Sequence, residues 1–467
     1  MKNLVFKSYL YLFLSQSISL VINILMSIVI PKLLNVETFG YWQLFLFYTS
    51  FVGFFHFGLN DGIYLRYGGK NLEHLNGGLL KAQFLFLFFL QIILAISFFI
   101  YQYFYGREDL NQIIVFVVIF MIISNLTSFM TSVFQAVNKL NFFSILTIIT
   151  SSTFLLFIGL LFLFNKFNLL YITLSYTISY FLGLIYVLYK SKNILLSKID
   201  WSYRKTFLSE CKLNTVVGFF LMISTISSIL ILGVGRFAIE KKWGVVTFGV
   251  ISLCFTITTL LLFFIRQIGL VIFPLLKKVN IELQKKYFSL SINILNIILL
   301  GCLLLLPLIN FIILGWLPKY SDSLNYFIFI LPLVIYEGKT QIILVTYMKV
   351  QRKEKELMYI NVVSMLFSFL LCGVGYYFSS IVFIIIAMTF SSIVRGSILE
   401  YFLNLKMGAP NTESLIVVFS MTVLFGLFFN FFESKVAWFS YLAIYGLYLI
   451  SNMNSIKQIR KEVKLFF

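Results

Sequence analysis

Charged side chains are scarce in this sequence, and their scarcity excludes a soluble protein. Asp, Glu, Lys and Arg together make up 11% of the 467 residues, whereas 60% are hydrophobic and the mean hydropathy is +0.98. A soluble domain carries about 25% charged residues. The composition is therefore typical of a polytopic membrane protein.

Residues that commonly catalyse reactions or bind metals are also few. The four cysteines are far apart, lie mostly inside apolar runs and form no CxxC pair, so neither a disulfide framework nor a metal site is indicated. His56 and His74 are the only histidines, and the full phosphate-binding pattern G-x-x-x-x-G-K-S/T is absent, which argues against ATP-driven export. We expect no enzyme activity, no metal and no cofactor.

Acidic residues number 17 against 36 basic ones, which gives a formal net charge of +19. In a soluble protein this excess would suggest a nucleic-acid partner. In a membrane protein the preference of Lys and Arg for cytoplasmic segments explains it, and no nucleic-acid partner is expected. With the N-terminus inside and the spans alternating, most basic residues fall in inner segments, including a cluster near the C-terminus. Both termini are therefore predicted to be cytoplasmic.

Long runs without charge define the predicted fold. The first, Ser8–Pro31, is longer than the apolar core of a cleaved signal, so it is interpreted as a retained first span. A helix needs about 20 apolar residues to cross the hydrocarbon. The run 357–394 is too long for one span and is divided in two, with Gly373, Gly375 and Ser379-Ser380 offering a turn, whereas the apolar segment 323–348 contains Glu337 and Lys339. The prediction is an all-α polytopic membrane protein of about fourteen transmembrane helices.

The spans are predicted to form two lobes. The longest polar interruption, Ser191–Lys212, follows six spans and contains aromatic residues among lysines, as expected for a segment on the inner membrane surface. A V-x-T-F-G pattern at Val36–Gly40 recurs at Val245–Gly249, at the same point of each six-span unit. An even number of spans per unit makes the lobes parallel repeats. The predicted organisation is an N-terminal six-helix lobe (1–190), a cytoplasmic linker (191–212), a C-terminal six-helix lobe (213–404), and two further helices with a basic cytoplasmic tail (405–467).

The stretch Phe57–Lys70 stands out because it places charges at the end of an apolar run. Asp61 and Arg66 lie where the second span should leave the membrane, and charges at membrane depth usually face a cavity or a partner. Gly62 and the pair Gly68-Gly69 are predicted to break the helix there. This combination is expected at the inner mouth of a membrane pathway.

Three segments resemble a known family. They are the Ser8–Pro31 span, the Phe39-Gly40-Tyr41-Trp42 start of the second span, and Phe57-Gly58-Leu59 through Arg66-Tyr67. They are similar to the bacterial polysaccharide-transport family, whose best-known members are O-antigen flippases. This family belongs to the multidrug/oligosaccharidyl-lipid/polysaccharide exporter superfamily, together with MATE antiporters and lipid II flippases. The resemblance implies alternating access in a bacterial plasma membrane.

The cargo implied by the resemblance is an undecaprenyl-pyrophosphate-linked oligosaccharide. Guanidinium groups bind such anionic oxygens through paired, charge-assisted hydrogen bonds. Basic residues at or near membrane depth are therefore the candidate substrate-binding residues: Arg66, Arg236, Arg266, Lys339 and Arg395. The candidate ion-coupling residues, for protons or sodium, are Asp61 and Glu337. Because Glu240 and Glu400 lie near them, the site is cationic only if some acids pair elsewhere.

Several of these residues also have structural interpretations. Arg266 could snorkel to headgroups, and Arg236 could form a surface ion pair with Glu240, one helical turn away. Arg395 and Glu400 could be interfacial anchors near the end of their span.

The spacing of the remaining candidates limits which of them can pair. Glu337 and Lys339 are two residues apart, so they lie on different helix faces and are not expected to pair with each other. Asp61 and Arg66 are five apart, which makes an intrahelical bridge poor. Asp61 could instead belong to a helix-ending Asn60-Asp61-Gly62 turn.

Two other function classes compete with the flippase. A MATE-like antiporter of cationic drugs or small molecules would call for a cavity dominated by acids. A membrane enzyme of envelope synthesis would need converging catalytic groups and a sizeable outer loop, and the outer segments here are short. The expected partners of a flippase are its lipid-linked cargo, membrane lipids and a polysaccharide polymerase.

Overall fold

Helices supply all the regular structure of the residues that the computed structural model describes, which are 14–199, 204–276, 281–407 and 412–453. These helices form two compact units that divide between Ile226 and Ser227. The all-α prediction is therefore confirmed. The predicted boundaries of the lobes, at 190 and 213, stay a prediction.

Asparagine side chains cap three helices of the first unit. Asn35, Asn76 and Asn168 each accept a hydrogen bond from a backbone N–H three residues on, which stabilises the exposed start of a helix. The helices of this unit are α1 (Leu14–Leu33), α2 (Val36–Thr49), α3 (Leu59–Tyr67), α4 (Gly77–Tyr105), α5 (Asn111–Ala136), α6 (Leu140–Leu163), α7 (Leu169–Lys190), α8 (Lys192–Leu195) and the first part of α9 (Arg204–Leu276).

The second unit starts within α9, which is interrupted at Gly244, where the backbone is non-helical (φ 81°, ψ 179°). The helices that follow are α10 (Ile281–Cys302), α11 (Leu306–Trp316), α12 (Leu324–Ile330), α13 (Leu333–Lys339), α14 (Val345–Val350), α15 (Glu354–Tyr377), α16 (Ile381–Met407), α17 (Thr412–Phe431) and α18 (Ser434–Ser451). The division of the run 357–394 in two is confirmed, because α15 ends at Tyr377 and Ser379 has φ 55°. Of the turns that the sequence offered, the chain uses Ser379-Ser380, and Gly373 and Gly375 lie inside α15.

Ten helices among the described residues are long and apolar enough to cross a membrane, or eleven if a bent pair counts as one span. The prediction of about fourteen spans differs from the count of eleven at three places. Phe207–Phe263 counts once although its helix breaks at Gly244. The predicted second span is divided between α2 and α3, and α18 is not among the ten. A break in the backbone thus accounts for two of the three differences.

The break between α2 and α3 replaces the helix end predicted at Gly62. A 3-10 turn covers Val52–His56, and the chain then passes through left-handed conformations at Phe57 (φ 49°) and Gly58 (φ 82°). Gly62 lies inside α3, so the predicted break at this residue is wrong. The break predicted at Gly68-Gly69 is confirmed, because α3 ends at Tyr67 and Gly69 has φ 83°.

Amide side chains satisfy the carbonyls that this break leaves outside regular helix. The amide of Gln91 donates to the carbonyl of Phe55 (2.8 Å), and that of Asn125 donates to the carbonyl of Val52 (3.0 Å) and to Oε1 of Gln91 (2.9 Å). Asn60 in turn donates to the carbonyl of Asn125 (3.1 Å). An unsatisfied carbonyl in a membrane costs several kcal/mol, so these amides stabilise the broken helix.

Glycines allow α3 and the first part of α9 to cross with their backbones in contact. A Cβ at Gly62 would overlap the carbonyl oxygen of Asn214, and one at Gly218 would overlap the carbonyl oxygen of Gly58. This is why Gly62 is needed inside a helix, where it is otherwise unfavourable. The crossing brings the polar side chains of α9 within reach of α3.

A second broken span lies in the other unit. The segments Pro318–Ile330 and Leu333–Val350 meet at a bend of 54°. Pro332 stands at the bend, and a π-helical turn at Thr340–Leu344 interrupts the second segment. Every residue of α13 is buried, including Glu337 and Lys339. The bend therefore carries two charged side chains into the interior of the unit.

The two copies of the V-x-T-F-G pattern begin helical segments after a break. Val36 starts α2 after Asn35, whose backbone is extended, and Val245 follows the non-helical Gly244. The pattern therefore occupies a similar local position in each unit.

Candidate functional site

Two buried ion pairs join α13 to α16 in the second unit. Lys339 Nζ donates to Glu400 Oε2 at 2.8 Å, and both side chains are 1% exposed. Arg395 Nη2 donates to Glu337 Oε2 at 3.4 Å. Both helices are apolar over most of their length, so the four charges lie in a medium where an isolated charge would be strongly disfavoured.

Neutral polar groups complete the Glu337–Arg395 pair. Ser392 donates to Glu337 Oε1 at 2.9 Å, and Gln341, on the π-helical turn, donates to Oε2 at 3.1 Å. Arg395 Nη1 donates to the hydroxyl of Ser228 at 2.8 Å. Arg395 Nε and Glu400 Oε1 are buried and have no hydrogen-bond partner among the described residues. The cluster thus retains one donor and one acceptor that it does not use internally.

The charges of the two helices alternate in opposite order. Along α13 an acid precedes a base, whereas along α16 a base precedes an acid, so each side chain faces its opposite charge. The expectation that Glu337 and Lys339 do not pair with each other agrees with this arrangement. The interpretation of Arg395 and Glu400 as interfacial anchors is wrong, because both lie on the buried face of α16 and are 1% exposed. Whether Lys339 and Arg395 bind substrate stays a prediction.

Arg236 lies in α9 of the same unit and contacts aromatic rings. Its Nη2 donates to the hydroxyl of Ser252 at 3.0 Å, and its guanidinium carbon lies 5.1 and 5.3 Å from the ring centroids of Phe248 and Phe255. Glu240, the partner expected for a surface ion pair, is itself buried. The side chain of Arg266 lies outside the described residues, and its predicted role stays a prediction.

Arg66 anchors a second polar cluster, which lies in the first unit. Its guanidinium donates to both carboxylate oxygens of Glu210 (2.8 and 3.2 Å) and to the side-chain oxygen of Asn214 (2.6 Å). Asn214 also donates to Gln83, which is fully buried (2.8 Å). The side chain of Arg66 is 26% exposed, so this guanidinium is held by α9 and remains partly accessible.

Asp61 lies close to His56. Its Oδ2 lies 3.9 Å from Nε2 of His56, the side chain is 30% exposed, and the Nδ1 atom of His56 accepts a hydrogen bond from the N–H of Gly58 (3.1 Å). Arg66 pairs with Glu210, on another helix, as the poor intrahelical geometry between Asp61 and Arg66 requires. The interpretation of Asp61 as part of a helix-ending turn is wrong, because Asp61 lies in the first turn of α3.

Sequence reasoning did not find several polar residues of these clusters. The missed residues are Gln83, Gln91, Asn125, Glu210, Asn214, Ser228, Gln341 and Ser392. One signal was available in α4, where Gln83 and Gln91 lie eight residues apart on one side of the helix and only apolar residues separate them. The others are single residues whose partners lie far away along the chain.

Comparisons with known proteins give a family and a fold. The family described as polysaccharide biosynthesis protein matches residues 5–280, which is more than half of the chain. Among curated protein sequences, none matches this chain. These comparisons therefore rest on the family match and on solved structures.

Three solved structures resemble the chain. One, described as the lipid II flippase MurJ in an inward closed conformation, has a TM-score of 0.67 at 14% identity and covers 97% of this chain and 100% of its own. A multidrug resistance MATE family transporter of the MOP superfamily in an inward-facing conformation has a TM-score of 0.56 at 11% identity, with coverage of 85% and 95%. A MOP superfamily transporter from Pyrococcus furiosus has a TM-score of 0.57 at 11% identity, with coverage of 86% and 96%. The chain is a multi-pass membrane protein that shares the fold of these transporters.

Proposed function

Because the chain belongs to the polysaccharide biosynthesis protein family, we propose that it is a flippase for a lipid-linked oligosaccharide. The cargo is an undecaprenyl-pyrophosphate-linked repeat unit of O-antigen or a related surface polysaccharide. It moves across the bacterial plasma membrane by alternating access, and a polysaccharide polymerase then uses it. Both termini face the cytoplasm in this proposal, and the lobes are the two repeats 1–190 and 213–404.

The observation that carries the proposal is that basic side chains in this apolar protein are held by carboxylates at two broken helices. Arg66 contacts both oxygens of Glu210, and Lys339 and Arg395 contact Glu400 and Glu337. A pyrophosphate offers the same kind of oxygen acceptor as a carboxylate and carries more charge. Cargo can therefore replace a carboxylate at a guanidinium, and the displaced carboxylate then needs a proton, a cation or water to balance its charge. Arg66 is the proposed first contact because it is partly exposed.

The acids of these clusters have a proposed role in energy coupling. Asp61, beside His56, and Glu337, beside Arg395, are carboxylates whose charge balance changes when a proton or a sodium ion binds. A variant that carries Gln in place of Glu337 keeps the shape of the side chain and removes its charge. In this variant translocation should lose its dependence on an imposed ion gradient.

A cation-coupled antiporter is the second candidate, and a specific observation favours it. The ion-pair cluster of α13 and α16 contains as many carboxylates as basic groups, and a cationic cargo could displace Lys339 from Glu400. Under this alternative the acids, and not Arg66, are the groups that cargo contacts.

Reconstitution separates the two candidates. Purified protein in liposomes receives an undecaprenyl-pyrophosphate oligosaccharide in one leaflet, and its arrival in the other leaflet is followed by accessibility to an added sugar-modifying enzyme. The proposal expects time-dependent translocation by the wild-type protein, loss of translocation in Arg66→Gln, and no change in Lys435→Gln, which alters an exposed lysine. Absence of translocation together with uptake of organic cations would refute the flippase and support the antiporter.

A further inference from the structure

A groove with basic and aromatic walls lies in the first unit, where α5 ends, α6 begins and α7 ends. It has a volume of about 600 Å³ and is lined by Phe134, Asn138, Lys139, Asn141, Phe142, Ile145, Tyr186 and Lys190. None of these lining residues belongs to the polar clusters described above. The groove is therefore a separate feature of the unit.

The turn between α5 and α6 presents the polar wall of the groove. Asn138 adopts a left-handed conformation (φ 59°), and its N–H donates to the carbonyl of Gln135 (3.0 Å). The N–H of Lys139 donates to the carbonyl of Phe134 (2.9 Å), which completes a Schellman motif at the end of α5. Asparagine tolerates this conformation better than most residues. The side chains of Lys139 and Asn141 are thereby held on a fixed turn.

The floor of the groove is aromatic. The rings of Phe134 and Phe142 lie 4.2 Å apart between centroids, and those of Phe142 and Tyr186 lie 5.4 Å apart. Lys139 Nζ lies 5.9 Å from the ring of Phe134. At the end of α7 Lys190 and the neighbouring Lys192 both approach Tyr189, at 5.8 and 5.6 Å. The groove therefore combines cationic groups with an aromatic floor.

The chemistry of this surface selects an anionic, amphiphilic ligand. No lining residue of the groove is acidic, so its lysines have no carboxylate there to compete with an anion. Exposed apolar side chains border it on the same helices, namely Phe143, Ile185 and Tyr189. In the proposed orientation this end of the unit faces the cytoplasm, where anionic lipids attract basic residues.

From the charge complementarity and the aromatic floor, we propose that the groove binds the headgroup of an anionic phospholipid. Lys139 and Lys190 hold the phosphate, Asn138 and Asn141 donate hydrogen bonds to its oxygens or to the headgroup, and the aromatic floor contacts the glycerol and the upper acyl chain. The site is independent of the cargo and of the flippase proposal, and of the proposed function it uses only the orientation with both termini in the cytoplasm.

Native mass spectrometry of the purified full-length protein tests the site. The protein in detergent is titrated with phosphatidylglycerol and, separately, with phosphatidylcholine of the same acyl length. The wild type should bind phosphatidylglycerol at lipid concentrations at which it does not bind phosphatidylcholine. The double variant Lys139→Gln/Lys190→Gln should bind phosphatidylglycerol roughly 10- to 30-fold more weakly, since each lysine near a phosphate contributes about a factor of five.

A matched control removes the same charge elsewhere. Lys166→Gln/Lys435→Gln changes two exposed lysines outside the groove and should leave phosphatidylglycerol binding unchanged. Thermal unfolding of both double variants should match the wild type, so that a change in binding cannot be assigned to misfolding.

Three results would overturn the proposal. They are equal retention of the two lipids by the wild type, unchanged phosphatidylglycerol binding in the groove variant, and displacement of the lipid by inorganic phosphate at a similar concentration. The last result would identify a site for free phosphate instead of a lipid.

Discussion

Removing one partner of the Lys339–Glu400 pair should destabilise the protein far more than removing both. The pair joins α13 to α16 at 2.8 Å, and each side chain is 1% exposed. Lys339→Met leaves the Glu400 carboxylate buried without its counter-ion, and Glu400→Met does the same to the ammonium group. Breaking a buried pair in this way costs about 3–5 kcal/mol, whereas replacing both partners with apolar side chains of similar volume is about neutral or stabilising.

The chain offers a matched control for this experiment. Lys353 and Glu356 form the same type of pair at 2.9 Å, but their side chains are 35% and 36% exposed. Solvent screens such a pair, and its contribution is about 0–1 kcal/mol. Substitution of either residue by Met should therefore leave stability nearly unchanged.

Thermal unfolding in detergent measures both sets of variants. A thiol-reactive dye can report unfolding because Cys254 and Cys372 are buried in the folded protein and become accessible when it unfolds. The wild type and the double variant should unfold at similar temperatures, and both single Met variants should unfold at clearly lower temperatures. If the single variants at Lys339 and Glu400 unfolded at the same temperature as the wild type, the reasoning from burial would be refuted.

The double variant also separates structure from transport. If the positive charge of Lys339 is needed only to balance Glu400, the Met/Met protein should fold and should translocate its cargo. If Lys339 contacts the pyrophosphate, the same protein should fold and fail in translocation. Leaflet-accessibility assays on the double variant therefore test the predicted substrate-binding role directly.

Three further predictions concern the first unit. Gly62→Ala should destabilise the protein strongly, because the added Cβ overlaps the carbonyl of Asn214. Gly53→Ala is the control, since a Cβ at Gly53 meets no atom within 4 Å and should not destabilise the protein. Equal unfolding temperatures for the two variants would contradict the close helix crossing. Gln91→Leu should lower the free energy of unfolding by about 1–3 kcal/mol, because the part-buried carbonyl of Phe55 loses its donor. A change no larger than that of Gln102→Leu, whose hydrogen bonds are exposed, would argue against this role. Arg66→Glu/Glu210→Arg should restore the stability that either single substitution removes but should not restore translocation; recovery of both would leave Arg66 with a structural role only.

Run length and helix-breaking residues predicted much of the fold. Gly373, Gly375 and Ser379-Ser380 all offered a turn in the run 357–394, and only the structure shows which of them is used. The division of this run into two spans was predictable because a helix of that length exceeds the membrane. The position of the break in the second span was not. Gly62 carries the same local signal as any helix-breaking glycine, and only its contact with Asn214, on a helix far along the chain, explains why the helix continues through it.

The candidate residues were easier to find than their partners. A charge within an apolar run is visible in the sequence, which is how Arg66, Lys339 and Arg395 were selected. Their partners depend on the rotation of each helix about its axis and on which helices are neighbours. Glu210 lies 144 residues from Arg66, and Glu400 lies 61 residues from Lys339, so periodicity within one helix contains no information about either contact.

The opposite charge order along α13 and α16 restricts how the second unit can change shape. A slide of one helix past the other that brought Glu337 to Glu400 would carry Lys339 beyond Glu400 and leave Arg395 without its partner. A slide in the opposite direction would bring Lys339 to Arg395 and separate both carboxylates from their partners. Either register shift replaces two attractive contacts with one repulsive contact and leaves buried charges unpaired where solvent cannot screen them. These two helices should therefore move together as one rigid body during any conformational change. The bending that opens and closes a pathway must then take place in other helices.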